Sequence, residues 1–263
     1  VPRLKGMPRK PSRTVRALTT LLGALGGVLA LTAATLTSPV YSGTGWKALT
    51  TEGIYSLSPD PYEIVFADTT ARTRLAKYFL LPAAQVTRSV GVPITVTTTL
   101  DLTPLGTCPP RHRIVVHYLH QPLGQPGMSQ ARPCYATGNG SAWGGHILMD
   151  SEYWTIPTWF GPDPAVNEAR RKDASTHELG HILGLDHPNT DIDRDGTVEA
   201  GECVAKDWLK PVMCSPNRGL PWPTVEETTG PVAYNFTEPG KFSKDFDLPG
   251  LRQLLANYVL RQG

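Results

Sequence analysis

Hydrophobic and polar residues follow two rhythms along the chain. Short β-branched or alternating runs come first: "YEIVFAD" (Tyr62–Asp68), "PITVTTTLD" (Pro93–Asp101), "RIVVHYLH" (Arg113–His120) and "GGHILMDSEYW" (Gly144–Trp154). Each is predicted to be a strand. Helical spacing appears in "TTARTRLAKYFLLPAAQVTRSV", where Leu75, Phe79, Val86 and Val90 share a face and Pro82 predicts a kink or a break. A second helix is predicted over Asn167–Leu185, closed by Gly184. A third runs from Asp247 to about Arg261, with Leu251, Leu254, Leu255, Tyr258 and Val259 as its apolar face. Residues 41–60 hold Gly, Ser, Thr and Pro without periodicity and read as a linker or a very short pro-segment. Ser215–Asp245 contains five prolines and predicts a long loop. There is no internal repeat. The pattern is that of one α+β domain over 61–263, with its chemistry late in the chain.

Charge changes the picture at the start. The net charge of +2 conceals six basic residues among the first sixteen positions, so the remainder is mildly acidic and gives no sign of a nucleic-acid partner. The basic start precedes an uncharged apolar stretch, Ala17–Ala34, so residues 1–40 read as an export signal, with a cut expected between Ala33 and Ser42. The alternative is an uncleaved signal anchor, which would hold the protein at a membrane. A cleaved signal predicts a secreted protein with no stable membrane span. Cys108, Cys134, Cys203 and Cys214 then favour disulfides. Four cysteines allow three connectivities, of which proximity favours Cys108–Cys134 with Cys203–Cys214.

The chemistry centres on "THELGHILGLDH", Thr176–His187. Residues four apart on a helix share a face, so His177 and His181 project side by side as two ligands of one metal. Glu178 lies next to a ligand, within reach of a metal-bound water. Gly184 permits a turn that a side chain would resist, and the chain can return to present His187 as a third ligand. Three nitrogen ligands with one open position describe catalytic Zn²⁺, since a structural site would be closed by four.

A second metal is predicted downstream. "DIDRDGTVEAGE" (Asp191–Glu202) has oxygen residues at loop positions 1, 3, 5, 9 and 12 and glycine at 6. This is the pattern of an EF-hand or dockerin-like Ca²⁺ loop. Asp191, Asp193 and Asp195 would bind through side chains, Thr197 through its carbonyl, Glu199 through water and Glu202 through both oxygens. Pro188 leaves no room for an entering helix; a helix leaving through "EAGECVAKDWL" is expected.

"HELGHILGLDH" resembles the zinc signature of the metzincin peptidases. The resemblance implies a metzincin-like catalytic domain: a twisted, mostly parallel sheet with an antiparallel edge strand, a zinc-site helix, a methionine turn and a C-terminal helix. "PVMCSP" supplies the turn, with Met213 as its methionine. "GGHILMDSEYWT" and "GLDH" look matrixin-like. The small exported layout is similar to snapalysin-type proteases, which end the motif with aspartate where this chain has His187. Leu148 stands where matrixins have a zinc-binding histidine, no cysteine-switch precedes the domain, and no tyrosine closely follows Met213. His112, His117, His120 and His146 are expected to be surface or ordinary structural residues, with His117 and His120 on opposite sides of a strand.

The resemblance implies a zinc metalloendopeptidase whose protein or peptide substrate lies extended along an edge strand near Gly144–Asp150, with Glu178 as general base and the segment after Met213 walling a side-chain pocket. Trp222 and Tyr234 are pocket or core residues on this reading. A monomer is expected. The alternatives are a non-catalytic, calcium-stabilised binding module and a narrow processing peptidase or exopeptidase.

Overall fold

The computed structural model describes residues 38–207, 209–216 and 239–262. Residues 1–37 of the predicted export signal, Trp222 and Tyr234 lie outside these residues. Nine strands and four α-helices are found among the described residues: β1 (Ser42–Gly43), β2 (Trp46–Ala48), β3 (Ser56–Leu57), β4 (Tyr62–Phe66), α1 (Thr69–Ser89), β5 (Ile94–Leu100), β6 (Arg113–Leu119), β7 (Gln130–Ala136), β8 (Ser141–Asp150), α2 (Glu152–Thr155), α3 (Pro164–Ile182), β9 (Leu185–Asp186) and α4 (Asp247–Leu260).

The main sheet runs β3-β8-β6-β4-β5, all parallel, with β7 pairing antiparallel to β8. Alternation fixes its two faces. Ile64, Phe66, Ile114, Val116, Ile147 and Met149 join the core that α1 and α3 cover. His117 and His146 belong to the other face, under the loop carrying Thr107 and Cys108.

Helix α1 starts at Asp68, whose side chain accepts the Ala71 N–H at 2.7 Å, and runs unbroken through Pro82. An interior proline costs about 3 kcal/mol of helix stability. Fully burying Leu75, Phe79 and Val86 returns roughly 1.5–3 kcal/mol each, so packing wins. The predicted strand over Gly144–Trp154 stops at Asp150, and Glu152–Thr155 turns into the short α2.

Three sequence expectations are corrected here. Residues 41–60, expected to be a linker or a very short pro-segment, are not a loose linker: they contribute β1, β2 and β3, and Trp46, Ala48, Ile54 and Leu57 are buried. The Asn257 amide on α4 ties this segment down, accepting the Val40 N–H at 3.1 Å and donating to the carbonyls of Val40 and Tyr55 at 2.7 and 3.0 Å. The edge strand is not Gly144–Asp150. That segment lies inside the sheet as β8, and Gly145 lets its neighbours close in, since a Cβ there would sit 2.2 Å from the Arg132 carbonyl oxygen. The edge is β7, which pattern reading missed: "QARPCYA" has no β-branched residue and includes Pro133, a residue confined to sheet edges because it cannot donate to the ladder. Finally, α4 buries Leu251 and Leu254 but leaves Val259 72% exposed, so its apolar face is narrower than predicted.

Both expected disulfides form: Cys108 joins Cys134 and Cys203 joins Cys214. Among the described residues no helix is long and apolar enough to cross a membrane.

Candidate active site

The site is built on the C-terminal half of α3. Asp163 caps the helix by accepting the Ala165 N–H at 2.8 Å, and Pro164 fits the first turn, where its missing N–H is not needed. The helix ends at Ile182. Gly184 then adopts φ 96°, a left-handed conformation that favours glycine, and the chain reverses into β9. His187 follows directly, so the predicted turn and the third histidine fall where the spacing placed them.

The three histidines converge. Their Nε2 atoms lie 3.0 Å (His177–His187), 3.2 Å (His177–His181) and 3.1 Å (His181–His187) apart. The tautomers follow from their outer partners. His177 Nδ1 faces the Val212 carbonyl oxygen and His181 Nδ1 the Leu185 carbonyl oxygen, each at 2.8 Å. A carbonyl only accepts, so each Nδ1 carries the proton and each Nε2 directs a bare lone pair inward. Lone pairs this close repel unless a cation lies among them. Zn–N bonds of about 2.0–2.1 Å at tetrahedral angles place ligand nitrogens about 3.3 Å apart, within a few tenths of the observed triangle. The donor set fits zinc. Burial first, then His187, pushes the His181 imidazole down to about 3, and burial also lowers His187, so both are neutral and free to bind metal at ordinary pH.

Glu178, one residue from His177, lines the same cleft of about 630 Å³. Burial pushes its carboxyl up to about 8, opposed by a hydrogen bond from the Ala131 backbone N–H on β7. The cleft is also lined by Met128 to Ala131, leading into β7, by the aromatic residues Tyr153, Trp159 and Phe160 with Ala174, and by Leu49, Thr51 and Glu52 from the segment before β3. Burial, then the Asp186 carboxylate, raises the Glu52 carboxyl.

Met213 packs beneath the helix. A Cβ on Gly180 would meet its sulfur at 2.2 Å, so the glycine between the two helical histidines is there to admit the methionine. That turn is held by the fully buried Asp247 at the start of α4, a role with no signal in the local sequence pattern. Its carboxylate accepts the N–H groups of Val212 (2.9 Å), Met213 (3.3 Å) and Ser243 (2.7 Å). Val212 in turn orients His177, so Asp247 acts on that histidine through one backbone step.

The acidic loop forms two overlapping clusters of carboxylate oxygens, Asp191–Asp193–Glu202 and Asp193–Asp195–Glu199, each within 4.8 Å. Glu202 accepts the N–H groups of Ile192, Asp193 and Glu199, and the Thr197 hydroxyl donates to Asp195 and Glu199. The loop abuts the methionine turn. Gly201 N–H donates to the Ser215 carbonyl at 2.7 Å, the Asn189 amide bonds both Ser215 backbone groups, and Cys203–Cys214 closes the link. No helix leaves this loop over Cys203–Asp207, contrary to the sequence expectation.

Of the other histidines, His112 lies 3.4 Å from Asp60 and His120 is an exposed neighbour of Glu152. His117 and His146 are buried and joined, Nε2 to Nδ1, at 2.9 Å, while His146 Nε2 meets the Thr107 carbonyl oxygen at 2.9 Å.

No family model and no curated protein matches the chain. Among solved structures, archaemetzincin from Methanopyrus kandleri overlaps 74% of this chain and 95% of its own at 16% identity, with a TM-score of 0.36. The GM1-bound form of the ECX AB5 holotoxin overlaps 82% and 87% at 12% identity, with a TM-score of 0.35. Overlaps this loose fix neither family nor activity, so the function is read from the side chains.

Proposed function

We propose that the protein is an exported, zinc-dependent metalloendopeptidase of the metzincin kind, cleaving protein or peptide substrates. The observation that carries this reading is the convergence of three histidine Nε2 atoms, 3.0–3.2 Å apart, beside a buried glutamate that lines the cleft. His177, His181 and His187 would hold the ion. Bound zinc supplies Lewis acidity, polarising the scissile carbonyl and lowering the pKa of water. The chain's own residues do the rest. Glu178 takes the proton of the attacking water on its carboxylate and delivers it to the leaving amine. A cation on the triad favours the ionised carboxylate, which counters the burial that raises it. Ala131 N–H holds the carboxylate in place. Strand β7 pairs only with β8 among the described residues, so its other edge offers backbone groups to an extended substrate, which binds as an added strand. Edge strand β7 thus takes the role that the sequence reading gave to Gly144–Asp150.

Export is supported by two disulfides, which persist in oxidising compartments. For the acidic loop the reading is structural Ca²⁺ among Asp191, Asp193, Asp195, Thr197, Glu199 and Glu202, supported by two clusters of carboxylate oxygens that lie within 4.8 Å of one another. A binding module would need no base next to a ligand; Glu178 therefore favours catalysis. The test is Glu178→Gln, which leaves the histidines intact. Zinc content should be unchanged while peptide cleavage falls by roughly 10²–10⁴-fold. Cleavage at the wild-type rate would refute the assignment.

A further inference from the structure

The segment Trp46–Ile54 meets the chain around the histidine triad at four places. Strand β2 pairs antiparallel with β9, Lys47 opposite Asp186 and Ala48 opposite Leu185. Leu49 N–H donates to the Gly184 carbonyl at 2.9 Å. Ile54 packs against the Gly184 turn, where a Cβ would come within 3.0 Å of its Cγ2. The Lys47 ammonium lies 3.2 Å from the Asp186 carboxylate, whose Oδ1 accepts the His187 backbone N–H at 2.8 Å. Leu185, held by this pairing, is the residue whose carbonyl orients His181. The far end of the strand is anchored by buried Trp46 against Gly250 of α4.

We infer that Trp46–Ile54 is a brace that positions two of the three histidines, with Asp186 as the positioning residue for His187. This rests on the zinc reading above. Physically, β9 is two residues long and follows a glycine turn, so it has little order of its own. Pairing with β2 gives it a fixed backbone. His181 is then oriented through the Leu185 carbonyl and His187 through its own N–H. The remaining ligand, His177, is oriented from the other side by Val212. The triad is therefore held by two separate parts of the chain, one before and one after the helix that bears it.

The test measures zinc affinity by chelator competition and the visible spectrum of the cobalt-substituted protein, at a temperature where each variant is folded. Asp186→Ala should weaken zinc by roughly 10–100-fold, as for residues that orient metal ligands, and alter the cobalt bands. Asp186→Asn keeps an oxygen for the His187 N–H and should restore most of the affinity and the wild-type spectrum. Trp46→Ala loosens the far end of the strand and should weaken zinc by a smaller factor. If Asp186→Ala and Trp46→Ala both match wild type in affinity and spectrum, the brace is refuted. If Asp186→Asn is as weak as Asp186→Ala, Asp186 is not positioning His187 through that bond. A wild-type protein that takes up no zinc would instead overturn the metal reading itself.

Discussion

Gly180→Ala puts two opposing effects in competition. Alanine is the better helix former by about 1 kcal/mol, and Gly180 lies inside α3. On propensity alone the variant should be more stable. The structure predicts the reverse. The new Cβ would lie 2.2 Å from the Met213 sulfur, 3.1 Å from its terminal carbon and 3.2 Å from Phe242, where a relaxed contact is roughly 3.5–4.0 Å. Met213 and Phe242 are fully buried, so neither can swing into solvent. Overpacking of this kind costs about 1–3 kcal/mol, and the sulfur contact is at the severe end. The expected net loss is about 1–2 kcal/mol, or roughly 2–8 °C in Tm for a domain of this size. The assay is thermal melting of a double-mutant cycle with Met213→Ala. That variant alone should lose about 2–5 kcal/mol. In its background Gly180→Ala meets space instead of sulfur, and should regain about 1 kcal/mol. The coupling between the two sites should therefore be about 2–3 kcal/mol, with Gly180→Ala changing sign. A Gly180→Ala single variant that melts higher than wild type would show that Met213 does not fill the space beneath the zinc helix.

Other outcomes follow from the same contacts. His187→Ala should lose zinc on dialysis as well as activity; full occupancy by metal analysis would remove it from the ligand set. Burial, then His146, holds the His117 imidazole down at about 4, against an ordinary value of 6.5. The unfolded chain therefore takes up this proton first, so the stability is whole above 6.5 and drains away as pH falls toward 4. His117→Gln should flatten that part of a stability-versus-pH curve, and an unchanged slope would refute the coupling. Asp193→Ala with Asp195→Ala should abolish a calcium-dependent rise in the zinc-loaded protein's Tm and lower its activity with zinc retained. A wild-type Tm that ignores calcium from chelated to millimolar levels would return Asp191–Glu202 to an ordinary acidic turn.

The parts legible in the sequence are those whose physics is local. The spacing of His177, His181 and His187 is a helix-face and glycine-turn statement, and the structure brings the three together. Strands β4, β5 and β6 were legible as β-branched runs, and both disulfides from proximity. What stayed hidden depends on partners distant in sequence. Strand β7 has no β-branched residue and exists because β8 offers it an edge and Cys108–Cys134 holds it there. Strands β1 to β3 are two or three residues long, too short for any rhythm, and are stabilised by pairing with β8 and β9 and by Asn257. Asp247 looks like an ordinary first-turn acid of a helix; only the fold shows it gripping Val212 and Met213.

The central claim is that peptide hydrolysis here depends on a metal held by the triad. It is tested most directly by digesting a peptide library with the zinc-loaded protein, with the same protein after chelation, and again after zinc is restored, reading the cuts by mass spectrometry. The account predicts internal cuts that cease on chelation and return at the same positions with zinc. Cuts that persist at full rate in the stripped protein, or a zinc-loaded protein that cuts no peptide in the library, would contradict it.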